Sequence, residues 1–311
     1  MAAAQTGPNH KKQPSAQIAT YNIRSGGGNN LQMACMAMDE ANIDLAILTE
    51  TKIPDEVHTH KWKGYDVVCT KAVSRRQGGI AILTRTSTEW HIESLLKHGP
   101  NVLSCIFVHG TQRIPLIGAY IPPSDLATLP FLTEALQRFP NDTPIVLGDL
   151  NANINQPLGA RNHEIAGLVS AYGLEDMLPH FHQRRPYRHN TTFFAKRHGQ
   201  TIRSQCDYIL GGDRRLFQNV SIRDPRYFRS DHYMLRGTLL MKPTTSHKRY
   251  LNGRKSPFEA YQCWSQTGGR PSDGNCRWQQ ATTRGTSTIG PTPMDFGPHS
   301  ESLGCEDHGA P

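Results

Sequence analysis

Six polar side chains at the ends of strand-like apolar runs limit the folds that this chain can adopt. Four of them end or directly follow such a run, and two stand where a run begins. Groups from both ends of strands can meet at one sheet edge only when some neighbouring strands run in opposite directions. The pattern therefore predicts mixed or antiparallel sheets and argues against a doubly wound parallel sheet. In chain order, these residues are Asn22, Glu50, Tyr120, Asp149, Asp207 and His232.

The apolar runs also predict the individual elements. Helices are expected after a cap at Asn29 or Asn30, after a cap at Ser124, and around Ile165, where Gly173 ends the helix. At least eight strands with a few helices favour an α/β (α+β) sandwich of two sheets flanked by helices. Strands are expected at residues 17–21, 45–48, 65–69, 80–83, 102–108, 115–120, 144–147, 208–210 and 233–240.

The segment from Leu147 to Asn153, with the sequence LGDLNAN, places a carboxylate and two amides in one tight turn. A glycine before an aspartate at the exit of a buried strand lets the backbone turn sharply and directs the carboxylate beyond the sheet edge. Gly, Asp and Asn are also ordinary turn formers, so the segment alone predicts only a turn. A catalytic interpretation depends on the other polar side chains.

Composition divides the chain into three parts. Residues 15–242 carry the recurring apolar runs and are expected to form one domain, preceded by a disordered N-terminus over residues 1–14. In residues 243–311 the runs stop and sixteen of 69 positions are Gly or Pro, which predicts a low-complexity, mostly disordered tail.

Cysteine usage and apolar run length bear on the compartment. Seven scattered cysteines without a CxxC pair favour a reducing environment over disulfides or structural zinc. The N-terminus lacks the apolar core of a signal peptide, and no apolar run approaches membrane-spanning length. We therefore expect a soluble intracellular protein without a membrane partner.

The formal net charge of +8 is concentrated in one segment. Residues 183–236 contain twelve Lys and Arg against four Asp, and they surround Asp207 and His232. A basic stretch is usually a solvated face, but one that brackets two candidate site residues predicts a polyanionic partner such as nucleic acid. The candidate contacts are Arg184, Arg185, Arg188, Thr192, Arg203, Arg229 and Ser230.

The polar set matches what hydrolysis of a phosphodiester requires, namely an activated water, neutralised phosphoryl oxygens and a stabilised leaving group. Asp149 would take the proton from the attacking water, and Asn151 would hold that water in line. His232 would donate to a phosphoryl oxygen if Asp207 keeps it protonated. Tyr120 would be a neutral donor to the phosphate or the leaving group.

A divalent cation would complete this set. Carboxylate ligands suit Mg²⁺, which usually takes only one or two of them, so Glu50 is sufficient as the principal ligand, and Mn²⁺ is an alternative ion. Asn22 would orient the metal or its ligands. Taken singly, the same residues have plainer interpretations: Asn22 and Asn151 as turn residues, Glu50 as a helix cap, Tyr120 as a sheet aromatic and His232 as a surface histidine.

Seven short motifs occur across about the first 240 residues: TYNIRS from Thr20, LTETK from Leu48, GGIAIL from Gly78, GAYIPPS from Gly118, LGDLNAN from Leu147, CDYIL from Cys206 and RSDHYML from Arg229. In sequence and in order they resemble the endonuclease/exonuclease/phosphatase superfamily. The resemblance implies a four-layer, DNase I-like sandwich of two mixed β-sheets flanked by helices, with Mg²⁺-dependent phosphoester hydrolysis. It implies the roles argued above and adds Asp231 as a metal ligand.

The forms LTETK, YIPPS and CDYIL are most similar to the endonuclease domain of non-LTR, LINE-like retrotransposons, with abasic-site endonucleases as the nearest relatives. Thr191-Thr192-Phe193 also resembles the retrotransposon pattern. Inositol polyphosphate 5-phosphatases share GDLN but carry Trp before it and Arg after the later Asp, where this chain has Val146-Leu147 and Tyr208. The resemblance implies an enzyme that nicks target DNA and leaves a 3′ hydroxyl to prime reverse transcription, which places it in the nucleus.

Two alternatives stay open: an abasic-site repair nuclease or phosphatase of the same fold, and an inactive nucleic-acid-binding remnant. Retrotransposon polyproteins continue into a reverse transcriptase, whereas here residues 247–258 resemble a linker and the remainder looks low-complexity or out of frame. We therefore hypothesise a truncated or decayed reading frame whose endonuclease domain survives. No cofactor beyond the metal is expected, and the sequence leaves the oligomeric state open.

Overall fold

The computed structural model describes residues 15–27, 29–54, 57–181, 190–225, 228 and 230–240. The N-terminus and tail predicted to be disordered lie outside these residues, so the three-part division of the chain stays a prediction. Within the described ranges, no helix is both long and apolar enough to cross a membrane.

Fifteen strands and four α-helices make up the described part of the chain. The strands are β1 (Ser15–Asn22), β2 (Leu45–Thr49), β3 (Val57–Trp62), β4 (Tyr65–Cys69), β5 (Ile80–Arg85), β6 (His91–Gly99), β7 (Val102–His109), β8 (Gln112–Tyr120), β9 (Ile145–Asp149), β10 (Glu175–Asp176), β11 (Phe193–Arg197), β12 (Gln200–Ser204), β13 (Asp207–Gly211), β14 (Phe217–Arg223) and β15 (Met234–Leu240). The helices are α1 (Asn30–Glu40), α2 (Leu129–Gln137), α3 (Gly159–Ala171) and α4 (Leu178–Phe181).

These strands form two large mixed sheets and one small hairpin. The first sheet has the order β14-β15-β1-β2-β5-β4-β3, and the second has the order β10-β13-β9-β8-β7-β6. Each contains one parallel pair, β1 with β2 and β8 with β9, and is otherwise antiparallel. The prediction of mixed sheets is therefore confirmed. The strands β11 and β12 form a separate hairpin, which meets the segment before β15 through one antiparallel bridge between Phe193 and His232.

The two faces of the first sheet pack against different partners. Ile18 and Ile47 belong to the main core, which they share with Leu147 of the second sheet. Their chain neighbours point to the opposite face, because side chains alternate along a strand. On that face Leu48 belongs to a second apolar cluster with Met38 of α1. Because α2 contacts β6, β7 and β8 of the second sheet, the order is helix, sheet, sheet, helix, as predicted.

The predicted cap of the second helix is wrong. The helix α2 begins at Leu129 with Thr128 at the cap position, and Ser124 lies exposed before it. The Asp125 carboxylate accepts a hydrogen bond from the Ala127 amide at 2.7 Å, so these residues form a turn rather than the first helical turn. Several strands were also not predicted, namely β3, β6, β10, β11, β12 and β14, because their sequences are too polar to stand out as apolar runs.

Gly148 lies where β9 approaches β8 most closely. A Cβ atom at this position would lie 1.7 Å from the carbonyl oxygen of Ala119, so any side chain must push the parallel strands apart. Gly148→Ala is therefore expected to lower the free energy of unfolding by at least about 2 kcal/mol. Urea denaturation measures this change.

Gly167 in α3 provides the control, because a Cβ atom there meets nothing within 4 Å. Gly167→Ala is expected to raise the free energy of unfolding by about 0.5–1 kcal/mol, since alanine favours the helix. Equal stability of the Gly148→Ala variant and the unmodified protein would show that β8 and β9 are not in close contact.

Candidate active site

The sheet topology brings the six predicted polar residues to one edge of the sandwich. Asn22, Tyr120 and Asp149 are the last residues of β1, β8 and β9, and Glu50 directly follows β2. Asp207 begins β13 and stands opposite Asp149 in the antiparallel register, as Tyr120 does in the parallel one. His232 precedes β15 in the chain. Strand ends and strand beginnings thus meet because both sheets are mixed.

The amide of Asn22 lies between two carboxylates. Its nitrogen Nδ2 donates to Asp149 Oδ2 at 2.8 Å and to Glu50 Oε1 at 3.2 Å, while its oxygen Oδ1 accepts from the Arg24 amide at 2.9 Å. Because the nitrogen faces the carboxylates and the oxygen is engaged by the backbone, this geometry suits orientation of Glu50 and Asp149. It does not favour direct ligation of a metal by Asn22.

Asp149 is fully buried and held from both sides. Its second oxygen, Oδ1, accepts a hydrogen bond from the Asn151 amide at 2.8 Å. Burial and the nearby Asp207 carboxylate raise the pKa of Asp149 to about 7, although His232 and the hydrogen bonds from Asn22 and Asn151 oppose this change. A carboxylate with that pKa can take up a proton near neutral pH, which is the property required of a general base.

His232 lies between the carboxylates of Asp207 and Asp149. Its Nδ1 is 2.8 Å from Asp207 Oδ2, and its Nε2 is 4.0 Å from Asp149 Oδ2. Burial lowers the pKa of His232, but Asp207, Asp149 and Asp231 outweigh burial and raise it to about 9. The ring is therefore an imidazolium at neutral pH, with Nε2–H as the donor that points away from Asp207.

Two residues of the segment 190–204 hold the Asp207–His232 pair. The hydroxyl of Thr192 is fully buried and accepts hydrogen bonds from the amides of Cys206 and Asp207 at 2.9 and 3.0 Å. The Phe193 ring packs on the His232 ring, with 5.0 Å between ring centroids. This placement favours a positioning role for Thr192 and does not favour the predicted contact with nucleic acid.

Glu50 has the properties expected of a metal ligand. Its Oε1 accepts from the Tyr120 hydroxyl at 3.0 Å, and its Oε2 lies 2.8 Å from Lys52 Nζ. Burial raises the pKa of Glu50, but Lys52, Asn22 and Tyr120 more than offset burial and hold the pKa below its usual range. The ionised carboxylate is 19% exposed, so an anionic oxygen is accessible, and a divalent cation there would take the place of the Lys52 ammonium.

Asp231 and a buried cluster of three site residues are the other candidate metal-binding groups. Asp231 is 26% exposed and its Oδ2 lies 3.4 Å from the Arg24 guanidinium, so it could serve as a second ligand. Asp149, Asp207 and His232 also place one potential ligand atom each within 4.8 Å of one another. An imidazolium cannot bind a cation, however, and we therefore interpret that group as an ion-paired network and Glu50 as the better metal ligand.

The predicted nucleic-acid contacts are only partly within the described residues. Arg203 is exposed on β12, and Ser230 is half-buried, with its hydroxyl accepting from the His232 amide at 3.2 Å. Arg184, Arg185, Arg188 and Arg229 lie outside the described residues, so their predicted role stays a prediction.

Several residues at the site have left-handed backbone conformations that no sequence pattern indicated. Arg24, Glu50, Lys52 and Asn151 have φ angles of 56°, 55°, 53° and 47°. Such conformations are unfavourable for residues other than glycine and concentrate where function requires a particular side-chain direction. Arg24 and Lys52 lie within the TYNIRS and LTETK motifs, but no sequence pattern predicts a role for either.

The fold and this set of side chains define the class of protein, a hydrolase built as a two-sheet α/β sandwich with a buried Asp–His network at one edge. The sequence profile of the Endonuclease/Exonuclease/phosphatase family matches residues 19–232, and the chain belongs to this family. No curated protein matches the sequence.

Several solved structures share the fold at low sequence identity. The endonuclease domain of TRAS1, a telomere-specific non-LTR retrotransposon, is 15% identical with a TM-score of 0.57, covering 73% of this chain and 99% of that domain. The abasic (AP) endonuclease LMAP from Leishmania major is 16% identical with a TM-score of 0.59, covering 73% and 88%. The 3′ phosphatase NExo from Neisseria, bound to a product DNA hairpin, is 17% identical with a TM-score of 0.52, covering 73% and 100%.

Proposed function

We propose that this chain is a divalent-metal-dependent endonuclease that nicks DNA. The observation that carries the proposal is the position of Asp149, a buried carboxylate with a pKa near 7, between the Asn22 amide and the His232 imidazolium. Hydrolysis of a phosphodiester requires a base for the attacking water and a cationic donor for a phosphoryl oxygen, and Asp149 Oδ2 and His232 Nε2 lie 4.0 Å apart.

In the proposed reaction, Asp149 accepts the proton of the attacking water. Asn151 donates through Nδ2 to the Ile121 carbonyl at 3.1 Å, which leaves its Oδ1 to hold the water. His232 Nε2 donates to a phosphoryl oxygen and stabilises the charge that develops there. Burial and the nearby Glu50 and Asp149 carboxylates raise the pKa of Tyr120 well above its usual range, so its hydroxyl remains a neutral donor for the leaving group.

Glu50 and Asp231 are the residues proposed to hold the metal ion, Mg²⁺ or Mn²⁺. When bound, the ion would neutralise charge on the phosphoryl and leaving oxygens. Asn22 and Tyr120 orient the Glu50 carboxylate toward this position through the hydrogen bonds described above.

DNA is proposed as the substrate because charge and fold both favour it. The surplus of basic residues in the segment 183–236 surrounds Asp207 and His232, and exposed Arg203 lies on the hairpin next to them. The similar solved structures include a retrotransposon endonuclease domain, an abasic endonuclease and a phosphatase with DNA bound. The motif forms favour the retrotransposon endonuclease. We therefore propose that the enzyme nicks DNA and leaves a 3′ hydroxyl, as in non-LTR retrotransposition, and that it acts in the nucleus.

The purified chain should be tested on supercoiled plasmid, a duplex with one abasic site, a DNA hairpin with a 3′ phosphate and a soluble inositol phosphate. Mg²⁺-dependent conversion of supercoiled to nicked plasmid, abolished by EDTA, is the expected result. Exclusive cleavage of the abasic duplex or release of phosphate would instead identify a repair nuclease or a phosphatase. DNA binding without any hydrolysis would identify an inactive remnant.

The proposed metal site can be tested by Mn²⁺ binding without substrate, followed by electron paramagnetic resonance. Glu50→Gln is expected to weaken Mn²⁺ binding by at least about tenfold, because it removes the principal anionic ligand. Lys52→Met is expected to strengthen it by roughly threefold to tenfold, because the ammonium no longer competes for Oε2.

Glu89→Gln is the control for the metal experiment, since Glu89 is an exposed carboxylate that pairs with His109 outside the site. It should leave Mn²⁺ affinity unchanged. Weaker binding in the Lys52→Met variant would mean that the lysine supports the metal site instead of competing with the ion.

A further inference from the structure

Arg161 links the two loops that carry the proposed catalytic groups. It is the third residue of α3, and its guanidinium donates to three main-chain carbonyls. The nitrogen Nη1 donates to Asn151 O at 2.5 Å, and Nη2 donates to Pro122 O at 2.9 Å and to Leu150 O at 3.3 Å. Pro122 follows Tyr120 at the end of β8, while Leu150 and Asn151 follow Asp149 at the end of β9.

We infer that Arg161 is a positioning residue of the proposed reaction. By joining the segments that follow β8 and β9, it fixes the positions of Asp149 and Asn151 relative to Tyr120. This inference rests on the proposed function. No local sequence pattern indicates this positioning role, because Arg161 lies in a helix with only a weak apolar stripe and outside the seven family motifs.

The anchoring of α3 explains why the link is rigid. Ile165 is fully buried, and Leu168 and Val169 are nearly so, which fixes the helix to the core. A planar guanidinium presents its donors in a fixed fork and can therefore span two loops, whereas the single ammonium of lysine cannot.

The backbone of Asn151 shows what the link restrains. Asn151 has a φ angle of 47°, and it is held at its carbonyl by Arg161 and at its side chain by the Ile121 carbonyl. These two contacts fix the direction of the side-chain oxygen proposed to hold the water. Without Arg161, the backbone of Asn151 can relax, and the side-chain oxygen Oδ1 that is proposed to hold the water then changes direction.

An unpaired donor supports the same conclusion. Arg161 Nε is buried and has no hydrogen-bond partner within the part of the chain that the structure describes. Buried donors are nearly always paired, so an orphan indicates that the position of the guanidinium is set by its other contacts. Its charge also interacts favourably with the Asp149 carboxylate and opposes the increase in the pKa of Tyr120.

Arg138 offers a matched control elsewhere in the fold. It also ties main-chain atoms together, donating to Ser94 O at 2.6 Å and to Ser104 O at 3.3 Å, but it lies next to α2 and contacts none of the proposed catalytic groups. Arg161→Met and Arg138→Met should therefore cost comparable stability. The two variants should differ in the rate of DNA cleavage and in the hydrogen exchange of residues 148–155.

The experiment compares steady-state cleavage of a DNA duplex at varied DNA concentration, DNA affinity by fluorescence anisotropy, and hydrogen exchange of residues 148–155 in these variants and in Arg161→Lys. For Arg161→Met we expect kcat to fall roughly 10- to 100-fold with KM within about twofold, since a displacement near 1 Å can cost that much rate. The Arg161→Lys variant should recover little of the lost kcat, and millimolar guanidinium should partly restore the kcat of Arg161→Met. Exchange of residues 148–155 should accelerate in Arg161→Met and not in Arg138→Met.

Three results would overturn the inference. One is an unchanged kcat in Arg161→Met, the second is an equal loss of kcat in Arg138→Met, and the third is a loss expressed only in DNA affinity, which would make Arg161 a DNA contact. An intact protein that does not cleave DNA would reject the proposed function instead. In that case, unchanged hydrogen exchange of residues 148–155 in Arg161→Met would still reject the positioning role.

Discussion

Replacement of Asp149 by asparagine is expected to slow plasmid nicking by about 10²- to 10⁴-fold, the usual contribution of a general base. The amide has nearly the same shape and keeps one acceptor oxygen for the Asn151 amide, but it cannot take a proton from water. Single-turnover nicking of supercoiled plasmid in Mg²⁺ measures the effect. Asp142→Asn, an exposed aspartate shortly before β9, should cleave at the rate of the unmodified protein.

The stability of the Asp149→Asn variant separates loss of chemistry from loss of folding. The pKa of Asp149 is raised in the fold from 3.8 to about 7, so folding favours the protonated carboxyl. This contribution is present below pH 3.8 and is lost as the pH rises through 7, where the buried group must ionise. At pH 8 the asparagine variant avoids this buried charge but loses the acceptor for Asn22 Nδ2, so its melting temperature should stay close to that of the unmodified protein. A large drop in melting temperature would mean that the residue is structural.

Replacement of His232 by glutamine is expected to slow nicking by about 10²- to 10³-fold, as when one donor to a developing oxyanion is removed. The glutamine amide is neutral and leaves the buried Asp207 carboxylate without its cationic partner. His163→Gln, an exposed histidine on α3, is the control and should be without effect. Full activity of the His232→Gln variant would rule out the assigned donor.

The pH dependence of nicking tests the same pair of groups. The proposed mechanism requires Asp149 ionised and His232 protonated, so the rate should rise as the pH passes about 7 and fall as it passes about 9. The alkaline limb should disappear in the His232→Gln variant, and the acid limb should remain. A rate that is constant from pH 6 to pH 10 would contradict the mechanism. So would an alkaline limb that is unchanged in the His232→Gln variant.

The free energy of unfolding should also depend on the protonation of His232. Its folded-state pKa of about 9 lies above the ordinary 6.5, so the ion pair with Asp207 contributes stability that is complete below 6.5. That contribution is lost as the pH rises through 9. The difference in stability between the unmodified protein and His232→Gln should therefore shrink from pH 6 to pH 10.

The candidate site could be predicted from local sequence because each residue lies at the boundary of an apolar run. Asn22, Asp149 and Asp207 are next to runs whose burial leaves little choice of secondary structure. The same logic failed for Ser124 and for β6. Ser124 has the chemistry of a cap but belongs to a turn. The edge strand β6 is half-exposed, and its core-packed residues Ile92 and Leu95 do not alternate regularly because the register shifts between Glu93 and Leu96.

The function of individual side chains was less predictable. Thr192 matched a motif and was expected to contact nucleic acid, yet its hydroxyl is buried beneath Asp207. Lys52 and Arg161 were not singled out, although one pairs with Glu50 and the other ties the ends of β8 and β9 together. Lys52 and Glu50 are only two positions apart, but both have a left-handed backbone that no sequence pattern indicates. The partners of Arg161 are main-chain carbonyls, which every residue has, so no local pattern marks this arginine either.

The sequence by itself determined that strands run both ways and that six polar groups share one edge, since burial of apolar runs fixes where each strand begins and ends. Only the tertiary structure decided which of these groups touch. The bond between Asn22 and Asp149 joins residues 127 positions apart and depends on how the two sheets pack against each other. Local periodicity carries no information about that packing, and for this reason the pKa values and the contacts of Arg161 emerged only from the folded chain.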